Sequence, residues 1–271
     1  MTSPLSSENI NTQNRDIETP LYIASKYGDL NTVKVLTSRK ECDFNIPDGQ
    51  GNTPLHIACM LGHHFIIEFL VADQRCPLNA INRKGKTPLH VASEHGYLDV
   101  IKVLGSKENC DLNVADKEGN TPLHSACKCG HHFTVQFLLS HQKCQLHAKN
   151  REGETPLPTA SEHGHLDTVK VLISRKECDL NIPDDKGNTP LRTACQHGHH
   201  STAQFLVSDQ RCQLHAKNRE GETPLHTASE HGHLDTVKVL VSRKECDLNI
   251  PDDKGNTPLH TACKHGRHST V

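Results

Sequence analysis

Tryptophan is absent from this chain of 271 residues, which holds only 6 phenylalanines, 3 tyrosines and 2 methionines. With apolar residues at 34 %, bulky side-chain volume is too scarce for the thick core of one large globular domain. A thin core shared along a stack of small units stays possible. Long apolar runs are missing too. Nothing approaches the roughly 18 residues that span a bilayer, so no membrane insertion is expected. The opening 16 residues are polar and lack the apolar centre of a secretory signal, which points to a soluble, cytoplasmic protein. Charge of one sign is also lacking: 30 Lys and Arg stand against 32 Asp and Glu, a net charge of −2. That balance leaves no electrostatic footprint for nucleic acid.

What the chain has is self-similarity. Thr-Pro-Leu begins at Thr19, Thr53, Thr87, Thr121, Thr155, Thr189, Thr223 and Thr257, always 34 residues apart. A glycine follows each at Gly28, Gly62, Gly96, Gly130, Gly164, Gly198, Gly232 and Gly266. A second glycine precedes all but the first, from Gly51 to Gly255.

Local chemistry gives each unit its shape. In Thr53-Pro54-Leu55-His56, threonine suits a helix N-cap and proline the first helical position. Histidine at the third position can reach back to the cap as in a capping box. A short helix then runs to the turn at Gly62. A second helix is expected from about His64 to Ala72, with Ile67, Phe69 and Leu70 inward. The stretch from Pro77 to Lys86 reads as a projecting β-hairpin or loop. One such unit cannot bury its own apolar stripe, whereas stacked units can, through a ladder from Leu21 to Leu259.

Thr-Pro-Leu-His-X-Ala, Gly-His and Asp-Leu-Asn resemble the ankyrin repeat. The likeness covers residues 17–271 in eight copies, with units at about 17–50, 51–84, 85–118, 119–152, 153–186, 187–220, 221–254 and a shortened 255–271. Residues 1–16 are a polar tail leading into a degraded half-repeat that acts as a cap. The fold class is therefore an all-α repeat solenoid of helix–turn–helix units with hairpin or loop fingers. Because the last unit stops inside its second helix, the chain is expected to be a fragment of a longer protein.

Several positions depart from the family pattern. Second helices end in Ser38-Arg39-Lys40-Glu41-Cys42 and its equivalents, without the usual closing glycine. Tyr22, Pro158 and Arg192 replace the motif histidine, and Ile17 replaces the first finger glycine. Odd and even units also differ, giving a double period of 68 with Ala-Ser and Val in one and Ala-Cys and Phe in the other.

The 12 cysteines and 22 histidines allow two readings. One is a disulfide or metal framework. In the other, Cys42 to Cys246 and Cys59 to Cys263 fill columns of small buried residues. Stacked helices lie about 8–10 Å apart, beyond the ~7 Å Cα limit of a disulfide, which favours the second reading. Cys129 lies outside both columns and is the one thiol expected to be exposed. Ligand-rich segments such as Cys127 to His132 lack the Cys-x2-Cys and His-x3-His spacings of zinc sites, so no metal or cofactor is expected.

No Walker loop or nucleophile elbow occurs, and carboxylates such as Glu162 and Glu230 recur as a surface pattern, so no enzyme is expected. The resemblance implies protein binding on a concave face made by fingertips and the ends of first helices. Carried onto this chain, the helix-end positions are Lys26 and Tyr27, Met60 and Leu61, Glu94 and His95, Lys128 and Cys129, Glu162 and His163, Gln196 and His197, and Glu230 and His231. The fingertips contribute Lys84, Lys86, Lys117, Arg151, Lys186 and Arg219. Its one apolar stretch, Tyr27, Met60 and Leu61, is the expected hot region. A monomeric scaffold or adaptor for a protein partner follows from the resemblance. The alternatives are a His/Cys-rich metal- or pH-responsive surface and a structural spacer within a larger protein.

Overall fold

Each Thr-Pro pair starts a helix, and each helix has a partner. The computed structural model describes residues 10–270. Within them the helices are α1 (Pro20–Tyr27), α2 (Leu30–Thr37), α3 (Pro54–Leu61), α4 (His64–Ala72), α5 (Pro88–His95), α6 (Leu98–Gly105), α7 (Pro122–Lys128) and α8 (His132–Leu139). They continue as α9 (Pro156–Glu162), α10 (Leu166–Ile173), α11 (Pro190–Gln196), α12 (His200–Ser208), α13 (Pro224–His231), α14 (Leu234–Val241) and α15 (Pro258–Lys264). A turn of 3-10 helix follows at His268–Thr270. No strand occurs among the described residues, so the fold is all-α and the fingers are loops.

By its contacts the chain divides into two compact units, residues 1–126 with 137–144, and residues 127–136 with 145–271. In the first, α1, α3 and α5 stack side by side, as do α2, α4 and α6. In the second, α9, α11, α13 and α15 form one row and α10, α12 and α14 the other. Leu21, Leu55, Leu89 and Leu123 are buried in the first unit, and Leu157, Leu191 and Leu225 in the second. Leu259 is 52 % exposed, so the ladder stops one rung short of expectation. No further repeat packs on α15 within the described residues.

The helix starts follow the expected capping chemistry. Thr53 accepts from the His56 main-chain N–H, while His56 Nδ1 accepts from the Thr53 N–H at 3.1 Å. The ring's far nitrogen donates to the Lys86 carbonyl at 2.9 Å, so one side chain ties its own helix to the next finger. The second helix α4 buries Ile66, Ile67, Leu70 and Val71. Phe69 is only half-buried, which corrects its expected inward place: in a helix two rows pack inward and the third faces out.

Second helices close without a left-handed glycine, as expected, and other groups serve their carbonyls. The Ser38 hydroxyl donates to the Val35 carbonyl at 2.8 Å. From the next repeat, Arg75 donates to the carbonyls of Thr37 at 2.7 Å and Arg39 at 3.0 Å, with its guanidinium 4.7 Å above the Phe44 ring. Arg211 reaches Ile173 and Cys178 in the same way.

The fingers are turns closed by side chains. Asp48 Oδ1 accepts from the N–H groups of Gln50 and Asn52, both at 2.8 Å. Gly51 adopts φ +85°, and a Cβ there would lie 2.7 Å from the Arg83 nitrogen of the next finger. That nitrogen donates to the Gln50 carbonyl at 2.9 Å, and Lys117 to Lys84 at 3.1 Å, so the fingers are laced through their backbones. Ile17 takes the glycine's place at φ +63°, and Asn14 braces its turn as Asp48 does the next. Ile10 is buried and Asn11 bonds Glu41 and Asp43, so the described end of the tail docks on the first repeat. Residues 1–9 lie outside the described residues.

Candidate functional site

The register that buries the leucines pushes the helix ends outward. In α3, Cys59 is fully buried, and two residues later Leu61 is 44 % exposed. The equivalent Tyr27 in α1 is 74 % exposed, with the Lys26 ammonium 5.9 Å from its ring centre. Of the other expected residues, Lys84, His95, Lys117, Lys128, Cys129, Arg151, His163, Lys186, Gln196, His197, Arg219 and His231 are exposed. Lys26, Met60, Lys86, Glu94, Glu162 and Glu230 are half-buried, and none is buried.

Two cavities bring some of them together. In the first unit Met60, Lys84, Lys86, Glu94 and His95 share a cavity of about 300 Å³ with Gln50, Asn82, Arg83 and Val91. In the second unit Lys186, Gln196, Arg219, Glu230 and His231 line one of about 420 Å³. Arg192 lines it too, alongside Glu220 and Glu222. Sequence reasoning noted Arg192 only as a departure from the motif. Its offset of 30 residues from Glu222, the same as His56 to Lys86, was the available signal.

Charges at these positions are largely spoken for. Lys26 pairs with Glu18 at 2.7 Å, and Lys86 pairs with Glu94. Arg192 meets Glu222 at 2.5 Å. The matching place in the Pro158 repeat holds two carboxylates instead. There burial pushes Glu154 above the usual carboxylate range and nearby Glu162 adds to it, while a hydrogen bond from Asn150 opposes both.

The histidines at the helix ends are tied down. His163, His197 and His231 each donate from Nδ1 to a carbonyl of their own helix at 3.0 Å. Their rings stack on His165, His199 and His233 with centres 5.9, 6.2 and 5.9 Å apart. Those three donate to the helix-end carbonyls of Lys128, Glu162 and Gln196 in the preceding repeat. Burial holds His165 below the ordinary imidazole range, against the pull of the Lys128 carbonyl. Among the described residues no three His, Cys, Asp or Glu side chains converge as a metal site.

All 12 cysteines are free thiols. Cys129 is exposed as expected, but Cys263 is exposed as well, since among the described residues no further repeat packs on its helix. No described helix is long and apolar enough to cross a membrane.

These features define an all-α repeat solenoid whose fingertips and first-helix ends are held out from a thin core. The family profile for ankyrin repeats, in its three-copy form, matches residues 3–77, 21–116, 72–150, 104–184, 134–218 and 210–271. The chain belongs to the ankyrin-repeat family, a non-enzymatic fold whose members generally serve protein–protein interaction. Among curated proteins none matches it significantly.

Proposed function

We propose that this chain is a non-catalytic scaffold that binds a partner protein along its fingertips and first-helix ends. The carrying observation is Tyr27, 74 % exposed at the end of a helix that buries Leu21 and Tyr22. An aromatic ring in water, with Met60 and Leu61 ending the neighbouring helix, offers the kind of anchor that dominates binding energy at protein interfaces. The 12 free thiols suit a reducing compartment, which favours the cytoplasm. In this reading residues 17–271 act as one monomeric array, with the preceding polar segment as its cap.

The test is quantitative affinity capture with the full chain, repeated with Tyr27→Glu and Leu61→Glu together. Both side chains are exposed, so the fold should persist by circular dichroism. Loss of a hot spot worth about 2 kcal/mol weakens binding roughly thirtyfold. A control, Phe65→Glu, alters an exposed ring on the second-helix row. Partners lost with the control and kept with the pair would sink the proposal.

A further inference from the structure

The two cavities between fingers and helix ends differ in charge. In the second unit, Lys186, Arg192 and Arg219 are balanced by Glu220, Glu222 and Glu230. In the first, Arg83, Lys84 and Lys86 face a single carboxylate, Glu94, which Lys86 already holds. Arg83 and Lys84 are exposed, and no ion pair among the described residues uses either. The carboxylate of the preceding finger does not reach them as a counter-ion: Asp48 is occupied by Tyr22 Oη at 2.7 Å and by the N–H groups of its own turn. Beside this cationic tip the cavity is lined by the half-buried Met60 and by Val91, which is only 2 % exposed. At about 300 Å³ it stands at the lower limit of small-molecule pockets, a size for one or two side chains.

We infer that the partner reaches the first unit as an extended acidic segment, its carboxylates on Arg83 and Lys84 and an aliphatic or aromatic side chain against the half-buried Met60. This rests on the proposed function and adds the partner's chemistry. Exposed ion pairs contribute little energy each, so the apolar side chain supplies affinity while the two cations supply selection and encounter rate. The charge-balanced cavity of the second unit carries no such preference.

The experiment pans a phage library of random dodecapeptides over the full chain, then over the Arg83→Glu, Lys84→Glu double variant. Peptides kept by the native chain and lost from the variant are expected to carry Asp or Glu around an aliphatic or aromatic residue. A synthetic copy of one should bind the variant about fivefold more weakly, with the difference shrinking at high salt. Neutral or basic winners, or winners that the charge reversal leaves unaffected, overturn the inference. If those winners are lost with Tyr27→Glu and Leu61→Glu, the binding surface stands and the acidic partner alone falls. If they ignore that pair too, both readings fall. Displacement of the peptides by a single-stranded oligonucleotide more readily than by free acidic peptide marks the finger as a polyanion site and also overturns the inference.

Discussion

Arg192 donates from Nη1 to the Glu222 carbonyl at 3.0 Å, the reach that His56, His90 and His226 make to Lys86, Asn120 and Asn256. The substitution therefore keeps the tie between a first helix and the next finger. It adds an ion pair to the Glu222 carboxylate and leaves its own Nε buried without a partner.

Removing that side chain should expose the difference. Arg192→Ala loses both the carbonyl bond and the ion pair and is expected to cost about 3 kcal/mol, whereas Arg192→His restores the carbonyl bond, loses only the pair and should cost about 1 kcal/mol. Urea melts of the two variants decide the matter. Both variants lose the ion pair, so equal losses would mean that the bond to the Glu222 carbonyl contributes nothing.

Pro158 has no such substitute. The Thr155 side chain makes no capping bond, and the Asn188 carbonyl keeps only its bond from Asp184 within its own finger. Pro158→His is expected to rebuild the capping box and the link to Asn188, stabilising the chain by about 1 kcal/mol. A lower melting temperature in the variant would show that the proline ring fills the site better than imidazole.

Ile17 stands at φ +63°, a conformation that glycine holds in the other fingers and that costs a β-branched residue about 1 kcal/mol. Its side chain is 46 % exposed, so little packing is lost with it. Ile17→Gly should therefore raise the melting temperature. A drop would show that contact between this side chain and the next finger near Gly49 outweighs the backbone strain.

Helix starts, finger glycines and the exposure of helix ends were legible in the sequence because each depends on residues a few positions apart. Burial at α15 was not, since Leu259 and Cys263 carry the same letters as Leu55 and Cys59 but have no further repeat packed on them among the described residues. Nor was the closing of the second helices, where Arg75 acts across 36 to 38 residues. A column of asparagines also escaped notice. Asn79 and Asn181 join successive fingers through their amides, and His147 and His215 take the same place as acceptors only. In the site, the exposed positions followed from the register, but which charges neutralise each other depended on pairings such as Lys86 with Glu94 and Arg192 with Glu222.

Thiol reactivity should follow the columns. Burial pushes Cys76, Cys110 and Cys212 up to about 12 and Cys178 to about 11, while fully buried Cys59 and Cys195 lie above the ordinary thiol range for the same reason. The thiolate is the reacting form, so these should alkylate slowly in the native protein. Cys129 and Cys263, both exposed, should react first, as peptide mapping after brief iodoacetamide treatment would record. Fast labelling of Cys59 or Cys195 would contradict the buried columns.

Acid should loosen the first unit through its motif histidines. His56 is fully buried, and burial pulls it down to about 4, against the opposing pull of the Lys86 carbonyl. The geometry shows why a second proton is unwelcome: Nδ1 accepts from the Thr53 N–H while Nε2 already donates to Lys86, so protonation would set two donors face to face. His90, in the same contacts with Thr87 and Asn120, is lowered by burial too. Because the folded-state value lies below the unfolded one, the unfolded chain binds more protons in acid. The stabilisation is therefore fully present above the unfolded value near 6.5 and is lost as pH falls toward about 4. For His56 alone the loss over that interval is on the order of 3 kcal/mol. Asp48 belongs to a separate, lower window. Burial raises it, but the bonds from Tyr22, Asn52 and Gln50 outweigh that and hold it below the ordinary carboxylate value, so its contribution goes only in stronger acid. Urea midpoints measured from about pH 7 down to about pH 4.5 should fall steadily. His56→Gln, less stable at neutral pH, should fall less steeply, since one titrating group is gone. Parallel slopes for the two proteins would show that His56 does not carry the acid response.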